Sequence, residues 1–387
     1  MAFLPTLPLY VEERFGIRDP AEVRMWSGAI YGSAPLCAAF TGPIWGALAD
    51  RVGRKAMALR AMFGITCVAL LMPLAESPLW LMLLRGLQGC VAGYVAPAIS
   101  LVSASAPAGR QGRLVGNLQV GLALGLLTGP LVGAELVPWI GRGNIFYFSA
   151  VMAGLASLPV IFFTREDRST LNRGPGPRSS LFADIRGLTT SRVVLGLLAA
   201  VFLMRFGQHA VEAYVALWVR ELGPLDFVVA QTETLTHAVD RTIAVAFGVL
   251  AVAQILFTPL WGRLADSFGP LRCLSVLALG LGATLFVTGF VRDIRIFLMM
   301  RCVAAVFMAG TMTLAYASIS KRVDQKNRSL AYAMAQSCIQ FGLALGPLFG
   351  GFLTQSYGLE SLFFLASACL LVAGLGMLIL RVVSARS

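Results

Sequence analysis

The chain has 387 residues, of which 57% are hydrophobic and only 13% charged, with a mean hydropathy of +0.78. A soluble domain carries about 25% charged residues, so the composition excludes a soluble enzyme, a disordered chain and a disulfide scaffold, and leaves a protein that crosses the bilayer several times. The 31 Lys and Arg against 19 Asp and Glu give a net charge of +12; they recur in short clusters between apolar runs, which excludes a nucleic-acid-binding face.

A helix needs about 20 apolar residues to cross a hydrocarbon core of roughly 30 Å. Taken in order, spans are expected at 27–49, 57–75, 79–104, 113–135, 144–163, 192–219, 243–265, 271–291, 295–319, 329–354 and 360–381. The opening apolar piece, Met1 to Val11, reaches only about half way across at roughly 1.5 Å per residue. No basic segment precedes it, so no cleavable signal peptide is expected. The polar stretch 165–190, with Pro175, Pro177 and several Arg, reads as a linker between an N-terminal helix bundle (1–164) and a C-terminal one (191–387). The seven cysteines are scattered singly, without zinc-ligand spacing, and read as buried structural thiols; no metal site is expected.

Basic residues set the orientation. If the loops after the spans starting at 27, 79, 144, 243 and 295 face the cytoplasm together with the C-terminus, those segments hold 20 Lys/Arg and 6 Asp/Glu, and the opposite ones 8 and 12. That bias follows the positive-inside rule and favours contact with anionic lipid.

The chain repeats itself. Pro43-Ile-Trp45-Gly46-Ala-Leu48-Ala49-Asp50-Arg-Val-Gly53 and Pro259-Leu-Trp261-Gly262-Arg-Leu264-Ala265-Asp266-Ser-Phe-Gly269 are identical at seven of eleven positions, at an offset of 216. Arg85 and Arg301 share that offset, and Gly129-Pro130 lies 217 before Gly346-Pro347. Three landmarks in one register imply two copies of a six-helix unit. The alignment pairs Pro8-Leu9-Tyr10-Val11 with Ala216-Leu217-Trp218-Val219 and leaves 192–208 without a counterpart, so the first helix is expected to be truncated by 17 residues.

Gly46-Ala-Leu48-Ala-Asp50-Arg51-Val-Gly53-Arg54-Lys55 resembles the loop 2–3 signature of the major facilitator superfamily. Arg85-Gly-Leu-Gln88-Gly89 resembles the fourth-helix motif of its drug:proton antiporters. Gly125-x3-Gly129-Pro130-x2-Gly133 resembles their fifth-helix antiporter motif, with Ala134 in place of the final Gly, and Gly342-x3-Gly346-Pro347-x2-Gly350-Gly351 echoes it. Leu7-Pro8-Leu9-Tyr10-Val11-Glu12 and Met25-Trp26-Ser27-Gly28 are similar to the 12-helix bacterial multidrug exporters.

The resemblance implies an all-α membrane protein with the major facilitator fold, two six-helix bundles about a pseudo-two-fold axis. It implies a monomeric secondary transporter of the bacterial inner membrane, with a cytoplasmic C-terminus. Such a transporter exports drug-like or amphipathic small molecules in exchange for protons by alternating access. Proton-coupled uptake of a metabolite, and a transport-inactive truncated protein, remain the alternatives. No phosphate-binding loop, paired cysteines or cofactor motif occurs, so neither an enzyme nor a cofactor is expected.

Each motif has a physical reading. Gly53 permits a tight turn, Asp50 sits at a helix end, and Arg51, Arg54 and Lys55 hold the loop at the cytoplasmic face. By resemblance this cluster, with Gly46 and the repeat's Asp266, latches the two halves in the outward-open state; the alternative is that it only sets topology. The second copy has Pro270 and Leu271 in place of two basic residues, so the latch is asymmetric. Gly121, Gly125, Gly129 and Gly133 form one stripe that lets helices approach closely, and Pro130 adds a kink.

A charge at mid-bilayer costs roughly 2.5–3.5 kcal/mol, so buried ionisable residues call for a partner or a task. Arg85, Arg205, Arg301 and Glu212 qualify, joined by His209. Arg205, His209 and Glu212 are spaced i, i+4, i+7 and share one helix face. Glu212 and Arg301 both lie about 10 Å from the outer end of their spans, close enough in depth to meet. Glu212 is the leading proton carrier and His209 the second; the competing reading is a static pair anchoring two helices. Arg85 either bonds backbone carbonyls or handles substrate. Tyr31, Tyr94, Phe206, Tyr214, Phe307 and Tyr316 are candidate pocket walls.

Overall fold

The computed structural model describes residues 6–92, 111–164, 191–232, 234–323 and 328–386. Tyr94 and the linker 165–190 lie outside the described residues, as do the side chains of Asp50 and Arg51 and the surroundings of Gly46. Among the described residues all regular structure is helical. That is the expected solution in hydrocarbon, where only helices and closed barrels satisfy their own backbone.

The N-terminal half contains α1 (Leu7–Phe15), α2 (Pro20–Val52), α3 (Arg54–Leu71), α4 (Pro78–Val91) and α5 (Gln111–Phe163). The C-terminal half begins with α6 (Arg192–Glu212), α7 (Val215–Leu222), the short α8 (Asp226–Val229) and α9 (Leu235–Phe268). It continues with α10 (Pro270–Thr288), α11 (Ile294–Met308), α12 (Thr311–Ser320), α13 (Arg328–Tyr357) and α14 (Glu360–Arg386). Eight described helices are long and apolar enough to cross a membrane, and the protein is a multi-pass membrane protein.

Two expected spans run together and two are interrupted. Spans 113–135 and 144–163 run together as α5, broken only where Gly141 takes φ 77°, ψ 157°. Span 192–219 breaks after Glu212 into α6 and α7. Span 295–319 breaks at Gly310, whose φ is +78°. The cysteines are all free, but only Cys273 is buried; Cys37, Cys90, Cys338 and Cys369 are part-buried and Cys67 and Cys302 exposed, which costs a thiol little in an apolar surrounding.

The duplication extends to backbone conformation and hydrogen bonds. Gly53 and Gly269 both take positive φ (114° and 88°) ahead of α3 and α10, and Gly141 and Gly358 do so (77° and 73°) 217 residues apart. Ser77 caps α4 by accepting from the Trp80 N–H, and Asp293, 216 residues later, caps α11 by accepting from Arg295 and Ile296. Trp45 Nε1 donates to the Cys90 carbonyl (2.6 Å), and its repeat Trp261 donates to the Val306 carbonyl (2.9 Å).

The halves meet through α2 against α13, α5 against α9, and α1 against α7. Gly28 and Gly32 of α2 lie so close to α13 that a Cβ on either would stand 2.4 Å from the Pro347 or Ala344 carbonyl oxygen. Between described residues, the hydrogen bonds and ion pairs that cross the halves gather at this end: Glu12–Arg220, Arg142–Asp240, Glu135–Arg241 and Tyr214–Arg24. Further along, Phe40 still touches Phe341 (5.6 Å). Beyond it Ile44 and Val52 of α2 are exposed, as are Leu256 and Leu260 of α9. The end held by these pairs is the closed one; towards the Gly53 and Gly269 turns the described residues show no ion pair between the halves.

Candidate functional site: a buried ion pair beside a helix break

Glu212 is the last residue of α6, where the helix gives way before α7. Arg301, on α11, meets it in a two-pronged pair: Nη1 donates to Oε1 (2.9 Å) and Nη2 to Oε2 (3.2 Å). Nε and Nη2 also donate to the Ala246 carbonyl (3.3 and 3.2 Å), and the guanidinium lies 5.6 Å from the Phe247 ring. Arg301 is 4% and Glu212 9% exposed. Such a fork matches the planar guanidinium to the carboxylate and holds both charges without water. Tyr31, from the other half, stands within electrostatic reach of both Glu212 and Arg85. Arg85 is itself buried and bonds Gln88 one turn on.

Arg205 does not join this pair, although it shares a helix with Glu212. Its Nη1 donates to Gln208 Oε1 (3.1 Å) and its Nε approaches Met312 Sδ (3.3 Å). Tyr316, on α12, lies in its electrostatic field and donates to Gln336 Oε1 (2.8 Å), edge-on to Tyr332. His209 has a buried Nδ1 with no hydrogen-bond partner.

The remaining aromatic candidates divide. Phe206 is half-buried between Phe202 and Phe349. Tyr214 is no pocket wall: it is fully buried, its hydroxyl donating to the Pro347 carbonyl (2.7 Å) and lying 3.1 Å from that of Arg24. It therefore ties the helix break to both α13 and α2. Phe307 is part-buried, with its ring over Gly280, where a Cβ would stand 2.4 Å away.

The two glycine stripes also differ. Gly342, Gly346 and Gly350 press on α6 and the break; a Cβ at Gly346 would lie 2.4 Å from the Phe206 oxygen. Pro347 lends its carbonyl to Tyr214. In α5, Pro130 and Gly133 are buried, but Gly121 and Gly125 are exposed, with nothing within 4 Å among the described residues. Among the described residues, the close packing expected along that stripe is not seen at Gly121 and Gly125. In the loop motif, Lys55 Nζ donates to the Ile161 and Thr164 carbonyls (2.8 and 2.7 Å) at the end of α5. It closes the N-terminal half on itself. Asp266 is exposed and makes no ion pair among the described residues.

Sequence reasoning missed the charges at the closed end. Arg142 of α5 pairs with Asp240 of α9 (2.7 Å) and with Glu13 (2.8 Å). Asp240 is wholly inaccessible, and its Oδ2 has no partner. Arg241 grips Glu135 through both carboxylate oxygens (2.6 and 2.7 Å), with His237 Nε2 3.8 Å away. These residues read as loop charges because the span was expected to begin at 243. The missed signal is Thr234, which caps α9 by accepting from the His237 N–H and so carries Asp240 and Arg241 inside the helix.

The family model described as the Major Facilitator Superfamily matches residues 1–230 and 225–387. Among curated proteins, a Multidrug resistance protein MdtG of Rahnella sp. (strain Y9602) is 30% identical over 380 residues, covering 95% of this chain and 86% of its own. A protein of the same name from Proteus mirabilis (strain HI4320) is 26% identical over 377 residues, covering 94% and 88%. Among solved structures, the nucleoside transporter NupG superposes with a TM-score of 0.79 at 11% identity, over 98% of this chain and 95% of that one. A bacterial homologue of the human lysosomal transporter Spinster, in an inward-facing and occupied conformation, superposes at 0.77 with 16% identity, over 98% and 94%.

Proposed function

The chain belongs to the major facilitator superfamily, so it is a transporter and not an enzyme, and from that premise we propose that it exports drug-like or amphipathic small molecules in exchange for protons. The curated relatives are named for multidrug resistance, which supports the substrate class and the outward direction. The Lys/Arg bias puts the open end and the C-terminus in the cytoplasm, and the conformation is then the inward-facing one.

The observation that carries the coupling is the place of Glu212. It is buried against Arg301 and stands two residues before Tyr214, which ties α2 to α13 at the closed end. Protonating Glu212 removes the charge that holds Arg301, since Arg stays charged at any working pH. The broken helix is then free to turn, and the Tyr214 contacts move with it. Loss of the proton restores the fork. Two bundles rocking about a central site expose substrate to one side at a time. Tyr31, Arg85, Phe206 and Tyr316 line that site, with His209 as a second titrating group. The buried Arg142–Asp240 pair holds the outer end shut.

The test is transport of a fluorescent amphipathic dye into everted membrane vesicles. Respiration acidifies their lumen, so an exporter of this kind accumulates dye there, and nigericin discharges it. Glu212→Gln abolishes accumulation while dye binding to the purified protein persists. Unchanged accumulation removes Glu212 from the mechanism, and dye movement only in the reverse direction overturns export.

A further inference from the structure

Arg301 and Arg142 each meet a carboxylate, at 2.9 and 2.7 Å. Arg205, on α6, does not. Its hydrogen bonds go to a neutral amide oxygen, Gln208 Oε1 (3.1 Å), and to the Met312 thioether (3.3 Å), a weak acceptor. These occupy Nη1 and Nε; Nη2 has no partner among the described residues. Beside it Gln208 is only 3% exposed, and its Nε2 is buried without an acceptor. Glu212, the only acidic residue of α6, is taken by both prongs of Arg301. A cation kept inside a span calls for a partner or a task. Around Arg205 the chain supplies more donors and no counter-charge.

The place lies on the way into the protein. Arg205 and Glu212 are seven residues apart and share one face of α6, and at Glu212 that face is within electrostatic reach of Tyr31 in the other half. Arg205 stands about 10 Å further from the closed end than Glu212, at roughly 1.5 Å per residue. Tyr316 of α12 lies in its field and donates to Gln336 Oε1 (2.8 Å), an exposed side chain of α13. Tyr316 and Tyr332 meet edge-on at 5.3 Å, so aromatic surface borders the charge.

We propose that Arg205, with the Gln208 amide, seats an anionic substituent of the transported molecule, a sulfonate or a carboxylate, while Met312, Tyr316 and Tyr332 contact its apolar body. This rests on the reading of the chain as a transporter of amphipathic molecules and narrows it to amphipathic anions. A guanidinium fork matches paired anionic oxygens, and such a group gives Nη2 and Gln208 Nε2 the acceptors they lack. Arg stays charged at any working pH, so the seat persists whether or not Glu212 holds a proton.

Binding is measured at equilibrium on the purified full-length protein in detergent micelles, without a proton gradient and with empty micelles subtracted. The two probes share an aromatic body: 8-anilinonaphthalene-1-sulfonate and the uncharged N-phenyl-1-naphthylamine. Arg205→Gln is expected to weaken the sulfonate at least tenfold and the uncharged probe less than twofold. Arg205→Lys, which keeps the charge without the fork, is expected to fall between. Met312→Glu offers Arg205 a carboxylate from within the chain. It is expected to cost the sulfonate the same tenfold with no fall in melting temperature, so the test stands even where Arg205→Gln fails to fold. Three results overturn the proposal: no sulfonate binding to the unaltered protein, sulfonate affinity unchanged in the folded variants, or equal weakening of both probes. Each of these bears on anion recognition alone, since export and its proton coupling are read separately in the vesicles.

Discussion

Arg301 illustrates what a cation requires to remain inside a bilayer. Its donors reach both oxygens of Glu212 and the Ala246 carbonyl, and its face lies near Phe247. Removing one partner of such a pair leaves an uncompensated buried charge, at about 3–5 kcal/mol. Arg301→Ala is therefore expected to destabilise by that order, read as a lowered midpoint of unfolding in detergent. Glu212→Gln with Arg301→Gln, which removes both charges, is expected to recover most of the loss. A double variant no more stable than Arg301→Ala would show that the pair does not act as a unit. The same logic applies to Asp240, wholly buried against Arg142. Asp240→Ala is expected to weaken the closed end and raise labelling of cysteines introduced near Glu13 by a water-soluble maleimide.

At the scale of elements, close approach and open space alternate along helices of similar composition. Gly346 has the Phe206 oxygen and Ala210 nitrogen where a Cβ would sit, at 2.4 and 2.9 Å, whereas Gly125 has nothing within 4 Å among the described residues. Forcing extra volume into a packed contact costs about 1–3 kcal/mol, while Gly→Ala in an unobstructed helix gains roughly 0.5–1 kcal/mol. Gly346→Ala is therefore expected to lower the midpoint of unfolding and Gly125→Ala to leave it level or raise it. Equal loss in both would mean that a helix covers Gly125 in the working protein. The stripes were readable as stripes from their spacing of four. Which one is pressed against a neighbour was not readable, because that depends on how far apart the halves stand.

For the whole molecule, the informative asymmetry is between its two ends. Charges and Tyr214 join the halves at one end, while exposed apolar residues of α2 and α9 mark the other. Alternation of access requires the two ends to move in opposite senses. Spin labels at Trp139 and Leu235 report on the closed end, and labels at Val52 and Phe268 on the open end; all four positions are exposed. Substrate with acidification is expected to lengthen the first distance and shorten the second in pulsed dipolar spectra. Movement of both in the same direction would dismiss a rocking mechanism.

Composition and periodicity alone determined that this is a helical membrane protein built from a duplicated unit, and they located the turn at Gly53 and its copy at Gly269. Those properties are local: apolar runs, glycines at obligate turns and a repeated string each show themselves without reference to distant residues. The tertiary structure decided which charges pair, which end is shut, and that Tyr214 and Phe307 pack between helices. It also placed Asp240 inside a helix. Such outcomes depend on the register and separation of helices far apart in the chain, with Glu212 and Arg301 separated by 89 residues and Arg142 and Asp240 by 98. Depth in the bilayer restricts those partners; only the packing of one helix on another selects among them.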